Sequence, residues 1–129
     1  MTNYEQAQEL WALELESDEH EQGTKRLQDG NCYCCLGIGC LIAEKYGVFV
    51  DRDIKTGEII GVDLGSQPAI KKWLGLKDCI GGYEDTRDPN DLYGYGKDDN
   101  ALTELNDDEC KTFAEIAAIV RSKPKGLFV

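Results

Sequence analysis

The sequence predicts a single α+β domain in which about four helices pack with a small antiparallel β-hairpin or sheet. Three observations lead there. The chain has 129 residues, enough to bury one hydrophobic core. Hydrophobic residues make up 41% of it and charged residues 30%, the balance of a globular domain. Apolar residues recur mostly at helical spacing, and two β-type runs fall between the second and third helical segments.

The first helix is expected to run to about Glu16. Thr2 and Glu5 have the spacing of a capping box, and Tyr4, Ala7, Leu10, Trp11 and Leu13 supply an apolar stripe. Ser17 to Gly30 reads as a polar connection carrying Lys25 and Arg26. A second helix is predicted over Cys34 to Tyr46, with Leu36, Cys40 and Ala43 on one face and Gly47 as its stop. Gly37 and Gly39 lie inside it, each costing about 1 kcal/mol of helix propensity against alanine. Such positions point to close packing by a neighbouring backbone, which makes this helix the expected centre of the domain.

Val48-Phe49-Val50 and Glu58-Ile59-Ile60-Gly61-Val62 are the β-type runs. Lys55-Thr56-Gly57 between them suits a hairpin turn. A third helix is expected over Pro68 to Leu74, capped by Ser66 or Gln67 and stopped by Gly75. Trp73-Leu74-Gly75-Leu76 should plug into the core. Residues 78–100 have no helical or strand period and hold Gly81, Gly82, Gly94, Gly96 and Tyr83, Tyr93 and Tyr95, so they read as a long irregular loop. A last helix starts at Thr112, whose partner Glu115 completes another capping box. Its buried face should be Phe113, Ile116, Ala117 and Val120.

The chain carries 25 Asp and Glu against 14 Lys and Arg, a formal charge of -11. That excludes a broad surface for tracking phosphates, and with it direct nucleic-acid binding. It leaves solubility, cation binding, or docking onto a basic protein surface that normally holds nucleic acid. Met1 to Leu10 has neither a basic n-region nor an apolar run, so no signal peptide is expected. No stretch approaches the roughly 20 apolar residues of a membrane span. A cytoplasmic protein is expected, its six cysteines kept as thiols.

Four of those cysteines fall within Cys32-Tyr33-Cys34-Cys35-Leu36-Gly37-Ile38-Gly39-Cys40. No Cys-x-x-Cys pair occurs there, and on a helix only i+3 and i+4 neighbours align. Burial as small hydrophobes explains Cys35 and Cys40 without a metal, so neither a metal nor a cofactor is expected. His20, the one histidine, sits in the acidic run Asp18-Glu19-His20-Glu21 and reads as solvated surface, with no spacing that pairs it to a cysteine nucleophile. No catalytic residue is assigned. Asp51-Arg52-Asp53, Asp85-Thr86-Arg87-Asp88 and Asp98-Asp99-Asn100 lack the pattern of an EF-hand loop. Gly37-Ile38-Gly39 lacks the third glycine of a dinucleotide fingerprint.

Several segments together have a family look: Trp11 with Ser17 and Gln22, Tyr33-Cys34-Cys35-Leu36-Gly37 with Cys40, Trp73-Leu74-Gly75-Leu76, Leu105-Asn106-Asp107, and Phe113-x-Glu115-Ile116-Ala117. In these the chain resembles a family of small uncharacterised proteins of tailed phages and prophages, marked by a Cys-Cys-Leu-Gly-x-x-Cys-like segment. The resemblance spans nearly the whole chain except 78–100. It implies origin as a phage accessory protein acting inside a bacterial host cell, and it carries over no catalytic or binding residue.

The leading functional expectation is a non-enzymatic counter-defence or host-takeover protein that sequesters a small nucleotide-derived signal molecule. Its ligand-binding residues would be Lys25, Arg26, Tyr83, Arg87, Tyr93 and Tyr95, with a homo-oligomer interface as one place to assemble them. Aromatic faces and cations set in an acidic chain motivate it. The alternative is an acidic inhibitor docking on a host protein's basic nucleic-acid-binding surface. A third is an enzyme with a site around Cys34.

Overall fold

The structure is a computed structural model that describes residues 3–83 and 100–129. Helix α1 (Asn3–Glu16) buries Ala7, Gln8, Trp11, Ala12 and Leu15. Leu13 and Tyr4 face solvent instead, so the buried stripe lies one residue round from the predicted one. Two polar groups decide the difference. Trp11 is fully buried and donates its Nε1–H to the Cys35 carbonyl at 3.0 Å. Gln8 donates to the Leu74 carbonyl at 3.0 Å, so a glutamine sits on the inner face. Thr2, the expected cap, lies outside the described residues.

The segment read as a polar connection supplies two strands of a three-stranded mixed sheet, and Cys32–Tyr33 just after it supplies the third. Strands β1 (Glu21–Gln22), β2 (Gln28–Asp29) and β3 (Cys32–Tyr33) lie in the order β1-β3-β2, with β3 parallel to β1 and antiparallel to β2. Leu27, fully buried, pins the segment to the core.

Helix α2 (Cys35–Lys45) follows, and eight of its eleven residues are buried, as expected of the domain's centre. It starts one residue later than predicted because Cys34 is its cap: the Cys34 thiol accepts the Gly37 N–H at 3.4 Å. Gly37 is required. A β-carbon there would stand 1.9 Å from the Leu27 carbonyl oxygen, a backbone atom that cannot yield. At Gly39 a β-carbon would meet Leu74 Cδ1 at 2.9 Å, a side chain that can.

The predicted hairpin is present only in reduced form. Arg52 and Ile59 make a single antiparallel bridge, flanked by bonds from Asp53 to Glu58 and from Ile60 to Asp51. Side chains replace further strand pairing: Gln67 accepts from Asp51 N and donates to Asp51 O and Ile60 O. Asp53 is used in the turn, where its carboxylate accepts from Lys55 N and Thr56 N.

A single 3₁₀ turn (Leu64–Ser66) leads into α3 (Pro68–Leu74). This helix has the predicted bounds, with Pro68 in its first turn and Gly75 at φ 71° ending it. Strand β4 (Gly82–Tyr83) pairs antiparallel with β5 (Asn100–Ala101). A fifth helix not expected from the sequence, α4 (Leu102–Asp107), continues directly from β5. Helix α5 (Phe113–Ser122) begins with the predicted capping box, Thr112 with Glu115, and buries Phe113, Ile116, Ala117 and Val120. It packs on α1, where Arg121 forms ion pairs with Glu9 and Glu16. The result is one α+β domain. Among the described residues no helix is long and apolar enough to cross a membrane.

Candidate functional site

Beyond α1 the chain must reverse to enter the sheet, and Asp18 makes the reversal in the left-handed region at φ 59°. Aspartate tolerates that region better than most residues. The reversal carries Glu19, His20 and Glu21 back past the end of α1, opposite the start of α5. Between them lies a cleft of about 890 Å³, walled by Leu15, Glu16, Asp18 to Gln22, Cys32 and Thr112 to Ala114.

The wall is acidic. It contains Glu16, Asp18, Glu19 and Glu21 and no lysine or arginine. Glu16 shares Arg121 with Glu9, and Asp18, Glu19 and Glu21 face solvent. The carbonyl end of α1 adds partial negative charge at the same place.

His20 is not free surface, contrary to the sequence expectation. Its Nε2 lies 2.7 Å from Glu14 Oε1, its ring meets Tyr33 edge-on at 5.9 Å, and its side chain is only 21% exposed. Glu14 also receives Lys45 Nζ at 3.4 Å. Burial pulls the Glu14 carboxyl upward, but the hydrogen bond from His20 and the Lys45 charge outweigh it, holding Glu14 below the usual carboxylate range. Cys32 donates its thiol to Glu21 at 3.7 Å. Its partial burial and then the Glu21 carboxylate push the thiol pKa up, which keeps it protonated.

The other cysteines of that segment serve packing. Cys34, Cys35 and Cys40 are all buried. Burial pushes the Cys34 thiol up to about 11 and raises Cys35 and Cys40 further. A nucleophile needs the opposite shift.

Asn106 holds the cleft wall to the core. It is 1% exposed and makes four hydrogen bonds. Its Oδ1 accepts from Gln22 Nε2 at 2.8 Å and from Cys35 N at 3.2 Å. Its Nδ2 donates to Gly23 O and to Asp107 Oδ1, both at 2.8 Å.

Of the six ligand-binding residues expected from the sequence, Arg87, Tyr93 and Tyr95 lie outside the described residues. Lys25 and Arg26 are exposed, with Lys25 at φ 68° and its backbone N–H held by Asp107 Oδ1 at 2.9 Å. Tyr83 is half-buried against the core and pairs with Asn100 just before α4. Lys25 therefore attaches at the last residue of α4, and Tyr83 on the strand that leads into its start.

Residues 4–124 match the family described as a domain of unknown function, DUF8296. The chain belongs to the DUF8296 family. The match takes in all five helices of the domain up to Ser122, and so includes both walls of the cleft. No curated protein and no solved structure matches the chain.

Proposed function

We propose that this DUF8296 protein acts by binding and not by chemistry. In this reading it is an acidic accessory protein of phage origin that docks its cleft on the basic nucleic-acid-binding surface of a host protein. One observation carries it: Asp18, Glu19 and Glu21 line a cleft at the carbonyl end of α1 whose wall contains no lysine or arginine. Such a patch offers lysines and arginines what a phosphate backbone offers them. The protonated, buried thiols favour a non-enzymatic role.

The test uses the tagged chain, in EDTA, to capture partners from a bacterial lysate. A partner that supports the reading is released by added duplex DNA and by salt, because the charges are exposed and screened beyond about 10 Å at 0.1 M. Charge reversal at Glu19→Lys with Glu21→Lys abolishes its capture. Capture that survives both the DNA and the reversal overturns the reading.

Sequestration of a small nucleotide-derived signal is the second reading. It draws on Lys25 and Arg26, which are exposed and form no ion pair among the described residues. On that reading Arg26→Ala lowers the affinity for the tightest of a panel of fluorescent nucleotides about tenfold, the loss of one charge-assisted contact. Unchanged affinity overturns it.

A further inference from the structure

Where Glu19 and His20 line the cleft, Glu14 joins them from the last turn of α1 in a donor set different in kind from the acidic wall. Glu14, Glu19 and His20 each offer one ligand atom, and these atoms all lie within 4.8 Å of one another. They come from two places in the chain, the last turn of α1 and the reversal after it, and α1 fixes the first of them. Glu14 is 13% exposed on its side chain and His20 21%, so both are partly desolvated. The imidazole separates this set from a patch of surface carboxylates, because it supplies a nitrogen donor that hard cations do not favour. The ring is also held from outside the set, by its edge contact with Tyr33.

We propose that Glu14, Glu19 and His20 form a binding site for a borderline divalent transition-metal ion, with zinc(II) as the chemically preferred occupant. Two carboxylate oxygens and one imidazole nitrogen are a zinc-type donor set, each bound at about 2.0–2.2 Å. Two donors at those bond lengths stand about 2.8–3.1 Å apart at octahedral angles and about 3.3–3.6 Å apart at tetrahedral ones. The 2.7 Å between His20 Nε2 and Glu14 Oε1 therefore opens by about 0.6–0.9 Å for a tetrahedral ion, and less for an octahedral one, as the ion takes the place of their shared proton. Lys45 leaves Glu14 when the ion arrives, which its 60% exposed side chain allows. Three protein ligands leave a position on the open side, where Glu19 and His20 line the cleft together with Glu21 and Cys32. A water or a donor from a docked molecule completes the coordination there.

This goes beyond the docking reading, and the experiment separates the two because it uses the purified full chain and metal alone. Zinc(II) is titrated into chelator-stripped protein by calorimetry. His20 is followed by NMR, since the chain has one histidine and its ring signals are unambiguous. One zinc per chain with a clear shift of the His20 ring signals is expected. His20→Ala and Glu19→Gln each weaken it at least about tenfold, whereas Glu109→Gln, an exposed carboxylate elsewhere, leaves it unchanged. Glu19 is exposed, so its variant folds and keeps the test valid if His20→Ala does not. No stoichiometric binding, binding that leaves the His20 signals unmoved, or binding unaffected by Glu19→Gln overturns the site.

Discussion

Replacing Asn106 by alanine removes four hydrogen bonds from a side chain that is 1% exposed. Not all four losses weigh alike. Gln22 keeps a bond to the Lys111 carbonyl at 2.7 Å, and Asp107 keeps the one from Lys25. Cys35 is different, because its N–H opens α2 and has no acceptor within the helix. The Gly23 carbonyl likewise loses the amide that meets it. A net hydrogen bond contributes about 1 kcal/mol, and a buried group left unpaired costs about 1–3 kcal/mol. Two unpaired groups plus two weakened ones give a loss of about 3–5 kcal/mol, against a total stability of about 5–15 kcal/mol for a domain. Urea denaturation followed by tryptophan fluorescence measures it directly, since Trp11 donates to the same residue, Cys35, whose N–H Asn106 receives. Asn106→Asp is the informative companion. It keeps the acceptor but loses both donors and turns a carboxylate toward the Gly23 carbonyl and Asp107, so it should be at least as destabilising at neutral pH. A loss below about 1 kcal/mol for Asn106→Ala would refute the view that this side chain ties the cleft wall to the core.

Gly37→Ala should cost more than about 3 kcal/mol or abolish folding, since its β-carbon meets the Leu27 carbonyl oxygen at 1.9 Å; Gly39→Ala, which meets side chains (Leu74 Cδ1 at 2.9 Å and Trp11 Nε1 at 3.4 Å) and not a backbone carbonyl, should cost clearly less in the same urea titration. The buried thiols predict alkaline lability. Their folded pKa values are raised above the ordinary 9.0, with Cys34 at about 11, so their contribution is complete below pH 9 and is lost as pH rises toward the folded values. Each loses about 1.4 kcal/mol per pH unit, which makes about 4 kcal/mol for three thiols at pH 10; Cys40→Ala should flatten that slope by about a third, and an unchanged slope would count against burial as the cause. Thr112→Ala removes the cap of α5 and should lower stability by about 1 kcal/mol, read as a fall in melting temperature by circular dichroism.

How much of this was legible beforehand depends on how local each cause is. Helix α3 was readable to the residue because Pro68 and Gly75 act within one turn of the chain, and α5 because Thr112 and Glu115 cap it by themselves. The glycines of α2 signalled a close approach, but only the fold shows that the approaching backbone is Leu27. Strands β1 to β3 left no trace: each has two residues, mostly polar, and their pairing comes from neighbours further along the chain. Helix α4 spans six residues, too few for a 3.6-residue period to show. The hairpin was overread, because Gln67 supplies hydrogen bonds that strand pairing was expected to make. For the cleft, the run Asp18-Glu19-His20-Glu21 was visible as acidic surface. What was invisible was the turn at Asp18 that folds it back over Glu14 and beside Cys32 and Thr112.

The packing of α1 on α5 has a consequence for how the protein is made. Glu9 and Arg121, paired across that contact, lie 112 positions apart, so at roughly 5–20 residues per second the ribosome needs about 5–20 s to deliver the second after the first. Trp11 finds its acceptor far sooner, because Cys35 follows by 24 positions. The nascent chain can therefore join α1 to α2 early, yet must wait with the α5-facing side of α1 uncovered until Phe113–Ser122 emerges. A product cut short before Phe113 would lack the helix that packs on that side of α1.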